Sequence, residues 1–240
     1  MAHIPDGVLS APVLISGALV STGLLGLALR RLRETELPQA AVLASVFFVS
    51  SLVSVPLGPS SVHLLLNGLM GLLLGWAAVP AIFVALLLQA VFFGFGGLLV
   101  LGVNTLNLAL PALLVARLLR SMLHRLAAPA LGSELDPALG APVPVKHAEH
   151  GLSAEVSSPR RQRRAFMLGS AAGILAVLLT GLMLAASLVL SGEAFWPAAR
   201  VIAISFIPLA LIEGLMTGIV VAFLLRVEPA LLRLDEVRHG

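Results

Sequence analysis

The 240-residue chain carries a net charge of +3 and a mean hydropathy of +1.05; 59% of its residues are hydrophobic and 11% charged. A soluble domain carries about 25% charged residues and disordered chains are charged and poor in apolar residues, so both classes are excluded. An all-α, multi-pass protein of the cell (inner) membrane is expected, with the lipid bilayer as its first partner. The absence of cysteine removes disulfides, zinc–thiolate and iron–sulfur sites, and thiol nucleophiles.

The chain opens Met1-Ala2-His3-Ile4-Pro5-Asp6-Gly7 and then turns apolar at Val8. No Lys or Arg and no cleavage pattern precedes the first apolar run, so no removable signal peptide is expected. From Leu37 to Ala116, about 80 residues contain no Asp, Glu, Lys or Arg, room for four crossings of about 20 residues with their turns. Gly and Pro divide this stretch at Val55–Ser60, at Val79-Pro80 and at Gly94–Gly97. With the runs on either side, seven spans are expected, over 8–29, 39–56, 61–78, 80–94, 103–122, 165–191 and 200–226. They read as helices, because lipid requires every backbone polar group to be satisfied within the segment and these runs lack the alternation of a barrel.

Every Lys and Arg except Arg200 then falls on one face: Arg30, Arg31 and Arg33 after the first span, the cluster from Arg117 to Arg164 after the fifth, and Arg226, Arg233 and Arg238 after the seventh. That face is expected to be cytoplasmic, with the N-terminus outside and the C-terminus inside. The same distribution argues that the basic pI of 10.9 serves membrane orientation and not nucleic acid. The division expected is a five-span block at 1–125, a cytoplasmic Pro-, Gly- and Ser-containing linker at 126–160, and a two-span block with a cytoplasmic tail at 161–240.

An initiator Met is normally removed before Ala, so the mature chain is expected to begin Ala2-His3. The Ala2 amine, the His3 amide nitrogen and His3 Nδ1 then close two fused chelate rings on one metal. Deprotonating an amide calls for a tetragonal, nitrogen-loving ion such as Ni2+, Cu2+ or, less well, Co2+. These nitrogens fill three corners of a square. His63, in Ser60-Ser61-Val62-His63, is the candidate for the fourth: it is the one histidine of the uncharged stretch and is expected on the same face as His3. A packing role for His63 and a solvated role for His3 are the plain alternatives. If Met1 stays, the terminal amine, two amides and the His3 imidazole already complete a square and leave His63 spare. His124, His147, His150 and His239 all fall on the expected cytoplasmic side.

Glu213 is the one acid inside a span, where ionisable residues are costly and usually paired or functional; coupling, helix–helix hydrogen bonding and metal relay are open. Asp6 is read either as a cap for the first helix or as an acceptor for a ligating histidine. Asn104, Asn107 and Gln89 either bridge helices or support the N-terminal loop. Gly68, Gly71 and Gly75 are spaced for close helix packing, and Trp76 and Trp196 for membrane interfaces. Lys146, the only lysine, is not in a phosphate-binding Gly-rich loop, and no catalytic constellation is evident, so neither an ATPase motor nor an enzyme is expected.

His3-Ile4-Pro5-Asp6-Gly7, Ser61-Val62-His63-Leu64-Leu65, Phe93-Gly94-Phe95-Gly96-Gly97, Leu101-Gly102-Val103-Asn104-Thr105-Leu106-Asn107 and Glu213-Gly214-Leu215-Met216-Thr217-Gly218 resemble the CbiM/NikM family, the substrate-capturing membrane (S) subunits of energy-coupling-factor transporters for cobalt and nickel. The resemblance is dense over 1–122 and thinner over 205–226. It implies Ala2, His3 and His63 as metal ligands, and as partners a second small membrane subunit, a transmembrane coupling subunit and cytoplasmic ATPases. The ion is cargo, and no resident cofactor is implied. Family members often start Met-His; here removal of Met1 restores that register. The competing function is an ion-coupled secondary metal transporter, which generally needs several intramembrane charges where this chain offers Glu213.

Overall fold

The structure, a computed structural model, describes residues 4–52, 54–57, 60–127 and 158–232. In chain order these form α1 (Ala11–Arg31), α2 (Leu37–Ser50), a hairpin of β1 (Ser54–Leu57) and β2 (Ser60–His63), α3 (Asn67–Leu74), α4 (Ala78–Phe93), α5 (Leu101–Ala127), α6 (Pro159–Ser191) and α7 (Trp196–Val227). Proline sits in the first turn of α1, α2, α6 and α7, where its missing N–H breaks no helical bond and its fixed φ suits helix entry.

Five described segments are long and apolar enough to cross a membrane: Ala11–Arg31, Asn67–Phe93, Leu101–Ala127, Pro159–Ser191 and Glu193–Val227. Large apolar side chains such as Leu19, Val91, Leu182 and Ile204 stand more than half exposed, as a bilayer-facing surface allows and a water-facing one does not. The protein is therefore an all-helical, multi-pass membrane protein with one short hairpin.

Asn67–Phe93 is not one straight rod. A helix of that length would measure about 40 Å, yet His63, four residues before the segment, and Phe95, two residues after it, have ring centres only 6.2 Å apart. The chain turns back at Gly75, whose φ of 56° and ψ of −117° suit glycine alone. Arg120 Nη2 donates to the Leu73 carbonyl at 3.1 Å, binding one of the carbonyls that α3 leaves open. The Arg31 guanidinium lies 4.4 Å from the centre of the Trp76 ring. Two cations from separate helices thus hold the reversal.

The helix limits differ from expectation where the hairpin lies. The segments 39–56 and 61–78 were expected to be helical throughout; instead α2 stops at Ser50 and α3 begins at Asn67. The strands pair antiparallel, Ser54 with His63 and Val55 with Val62. β-branched Val55 and Val62 favour extended chain, and Pro56 lacks the N–H that a continuing helix needs. At the other edges, α5 and α6 run longer than expected and extend toward the linker, whose residues 128–157 lie outside the described residues, while α7 starts four residues earlier than expected, at Trp196.

α5 is the hub, touching α1, α3, α4 and α6, while α6 and α7 lie against each other along their length. Small residues set that approach: a Cβ on Gly173 would stand 2.7 Å from the Glu213 carbonyl oxygen, and one on Gly68 would stand 2.9 Å from the Gly173 Cα. α3 is thereby seated on α6, and the last two helices pack into the same bundle as the first five.

Candidate functional site

One end of the bundle gathers chain segments that are distant in sequence. His63 closes β2, opposite Ser54 in the ladder. Its ring faces Phe95, which continues to Phe93 at 5.6 Å and Phe48 at 5.5 Å. Among the described residues His63 Nδ1 is buried without a hydrogen-bond partner. Burial lowers the pKa of His63 below the ordinary histidine value, with the Ser51 backbone acting in the opposite sense. Burial thus favours the neutral imidazole, the form that ligates a metal.

The N-terminal segment is held by its backbone. Ile4 N–H donates to Asn104 Oδ1 at 3.2 Å, and Asn104 Nδ2 donates to the Ile4 carbonyl at 3.1 Å. A single buried amide thus satisfies both polar groups of the residue that follows His3. Asp6 N–H donates to the Gly96 carbonyl at 2.9 Å, and Val100 N–H donates to Asp6 Oδ1 at 3.1 Å. Gly97, at φ 129°, makes room for the Asp6 carboxylate. Asp6 therefore does not cap the first helix, whose N-cap residue is Ser10; it ties the N-terminal segment to the loop that opens α5. Since Phe95 touches His63 and Gly96 holds Asp6, this one loop brings the N-terminal segment and the hairpin together. Ala2 and His3, and Met1 as the alternative amine, lie outside the described residues.

Gln89 Nε2 donates to Ser51 Oγ at 2.7 Å, fixing the end of α2 whose backbone bears on His63. Asn107 Oδ1 accepts from Ser187 Oγ at 3.3 Å and so bridges α5 and α6. Glu213 is fully buried on α7. Its carboxylate accepts from the backbone N–H groups of Leu65 and Leu66, the latter at 3.0 Å through Oε2 and 3.2 Å through Oε1. Leu66 adopts φ 49° and ψ 11°, a left-handed conformation costing a leucine on the order of 1–2 kcal/mol, and the Glu213 carboxyl oxygens hold the two N–H groups that lead into it. Of the readings open for Glu213, hydrogen bonding between elements is the one seen.

Sequence reasoning passed over Asn67, which is fully buried and donates to the Leu108 carbonyl at 3.2 Å and to Thr180 Oγ1 at 2.8 Å. The signal was present: a lone amide in an uncharged run, the same mark that singled out Gln89, Asn104 and Asn107. Among the described residues no three side chains of His, Asp or Glu cluster as a metal site, so His63 is the one expected ligand that the structure places.

This fold and this end of the bundle define a membrane protein that grips its N-terminal segment close to a half-buried histidine. A model for the family CbiM, described as "Cobalt uptake substrate-specific transmembrane region", matches residues 3–231, and the chain belongs to that family. A putative metal transport protein of Haemophilus influenzae is 48% identical over 122 residues, 51% of this chain and 59% of that one. The fused nickel transport protein NikMN of Rhodobacter capsulatus is 41% identical over 121 residues, 48% of this chain and 35% of that one. The chain thus spans less than two thirds of either relative. Putative cobalt transport protein CbiM 1 of Methanocorpusculum labreanum is 28% identical over 202 residues, 82% of this chain and 74% of that one. A crystal structure of a truncated transition metal transporter shares the fold, with a TM-score of 0.64 and 22% identity over 93% of this chain and 98% of that one.

Proposed function

We propose that this chain is the membrane subunit that captures Ni2+ or Co2+ at the outer face of the cell (inner) membrane, for uptake by an ATP-driven energy-coupling-factor transporter. The cargo is held by the Ala2 amine, the His3 amide nitrogen, His3 Nδ1 and His63, in a chain that begins at Ala2. One observation carries this reading: backbone-directed bonds from Asn104 and Asp6 fix the chain next to His3 in the same loop cluster as His63, whose Nδ1 has no hydrogen-bond partner. A solvated terminal segment needs no such grip. All-nitrogen tetragonal ligation favours nickel over cobalt on ligand-field grounds.

The seven passes and the outward N-terminus belong to the same reading. The reversal at Gly75 supports counting α3 and α4 separately. Arg31 and Arg120 gather at that reversal, at the end of the α3–α4 hairpin away from His63, as expected of a cytoplasmic end. The proposed partners are a second small membrane subunit, a transmembrane coupling subunit and cytoplasmic ATPases. Secondary transport is disfavoured by Glu213: it is the one fully buried acid among the described residues, and its carboxylate is engaged on two backbone N–H groups. Uptake of Ni2+ and Co2+ in cells with and without the ATPase partner tests the proposal. Uptake that requires the ATPase supports it; equal uptake without the ATPase overturns it.

A further inference from the structure

We infer that Glu213 is a positioning residue for metal capture, acting from α7 through the backbone of Leu65 and Leu66 to hold His63 at the fourth corner of the square; this rests on the ligand set proposed above. The backbone leaves the hairpin at His63, passes Leu64, and delivers two adjacent N–H groups to one carboxylate. Those groups precede α3, whose first turn has no side-chain cap of its own. Glu213 takes that place from 148 residues away.

The geometry leaves His63 few other supports. α2 ends at Ser50 and α3 begins at Asn67, so the hairpin is joined to the helices by short irregular segments on each side. On the entry side the hold is Gln89 on Ser51. On the exit side it is Glu213, fully buried and locked in place because its own backbone packs against Gly173. The left-handed turn at Leu66 sets the direction in which the chain leaves the hairpin, and the carboxyl group holds the two N–H groups that lead into that turn. The other proposed ligands belong to the N-terminal segment, which is held by α5 and its opening loop. The fourth corner is thus tied to a different part of the bundle from the first three. Removal of the carboxyl group leaves the bonds of Asn104 and Asp6 to the N-terminal segment untouched and loosens the exit side of the hairpin that ends in His63.

The test is Ni2+ titration of the purified full chain in detergent, reading affinity and the visible d–d absorption of the bound ion, for wild type, Glu213→Ala, Glu213→Gln, His63→Ala and the double variant Glu213→Ala/His63→Ala. Glu213→Ala is expected to weaken binding about 10- to 100-fold, the range seen when groups that orient a ligand are removed. It is also expected to shift the absorption band in the direction that His63→Ala shifts it. Glu213→Gln keeps one acceptor oxygen and the side-chain length, so it is expected to fall between wild type and alanine; it serves as the reporter if the alanine variant does not fold. The double variant is expected to bind no more weakly than His63→Ala alone, because both substitutions remove the same corner. A purely structural role for Glu213 lowers stability but leaves the band of the folded, loaded protein unmoved, and that result overturns the inference. So does a double variant whose loss is the product of the two single losses. If His63→Ala itself binds as wild type, the proposed ligand set fails and this inference fails with it; if His63→Ala weakens binding and neither Glu213 variant does, only the inference fails.

Discussion

The two ends of the α3–α4 hairpin are held by different chemistry. At the Gly75 reversal the bonds come from cations: Arg120 on a helix carbonyl and Arg31 on the face of Trp76. At the His63 end they come from carboxylates and amides directed at backbone groups: Asn104 on Ile4, Asp6 on Val100, Glu213 on Leu65 and Leu66. Cations at a turn satisfy the carbonyls that helices leave open and lie where basic residues orient a membrane protein. Side chains spent on the backbone of an extended segment do something else: they fix chain that has no helical bonds of its own. That expense is explained if the segment next to His3 and the strand ending in His63 must sit at a set distance.

The contrast between the ends can be broken in order of effect. Acetylating the N-terminus, or adding a tag to it, is expected to abolish Ni2+ and Co2+ uptake, since it removes the lone pair of the α-amine; a tagged variant with wild-type uptake removes the terminal amine from the site. His63→Ala is expected to cost more than the roughly 10- to 100-fold typical of losing a supporting group. If Met1 is retained the loss is small, so this variant combined with N-terminal sequencing reports how the start is processed. Asn104→Ala removes both bonds to Ile4 and is expected to weaken metal binding about 10- to 100-fold while the bonds of Glu213 to Leu65 and Leu66 stay in place. Arg120→Met, at the other end, is expected to lower stability by about 1–3 kcal/mol, seen as a lower thermal midpoint, while metal affinity stays as in wild type. An affinity loss in Arg120→Met equal to that in Asn104→Ala would erase the distinction between the ends.

Acid sharpens the same contrast. The α-amine and an ordinary histidine have reference pKa values of about 8 and about 6.5, and burial lowers that of His63 further. Protons compete with metal for the amine first, then for His3, and for His63 last. Affinity is expected to fall as pH drops from about 8, well above the range in which His63 takes up its proton. Calorimetric titration at several pH values, with proton release read from buffers of different ionisation heat, checks this; a loss confined to the acid side of about pH 6 would place the metal on histidines alone.

Much of the helical frame was legible because lipid leaves an apolar run no alternative to helix. The Gly and Pro clusters at Val55–Ser60 and Gly94–Gly97 fall where helices are interrupted, but Val79-Pro80 does not: it lies in the first turn of α4, where proline is tolerated, and the break expected there falls at Gly75 instead. What they could not distinguish was a turn between two helices from a hairpin: the residues around Pro56 are uncharged and rich in Ser, Pro and Gly, a composition that marks a break without naming its form. The lone polar residues stood out in their apolar surroundings, yet their partners did not. Glu213 was visible as an anomaly, but nothing local to it names the N–H groups of Leu65 and Leu66, and Asp6 beside Pro5 and Gly7 looks like a local cap although its acceptor oxygen serves Val100. Partners at long sequence separation are set by packing, here by α6 and α7 meeting through glycine.

Orientation is tested by reporters: one fused after Gly240 is expected to read as cytoplasmic and one inserted near Ser191-Gly192 as external, with opposite readings overturning both the topology and the outer-face site.

The central claim is that the N-terminal segment and His63 together form an all-nitrogen square plane for the cargo ion. X-ray absorption of the Ni2+-loaded full chain, purified with its native start, tests it most directly. The account predicts a diamagnetic, four-coordinate, planar ion with nitrogen ligands only, lost on N-terminal acetylation. A six-coordinate, paramagnetic ion with oxygen ligands, unchanged by acetylation, would contradict it.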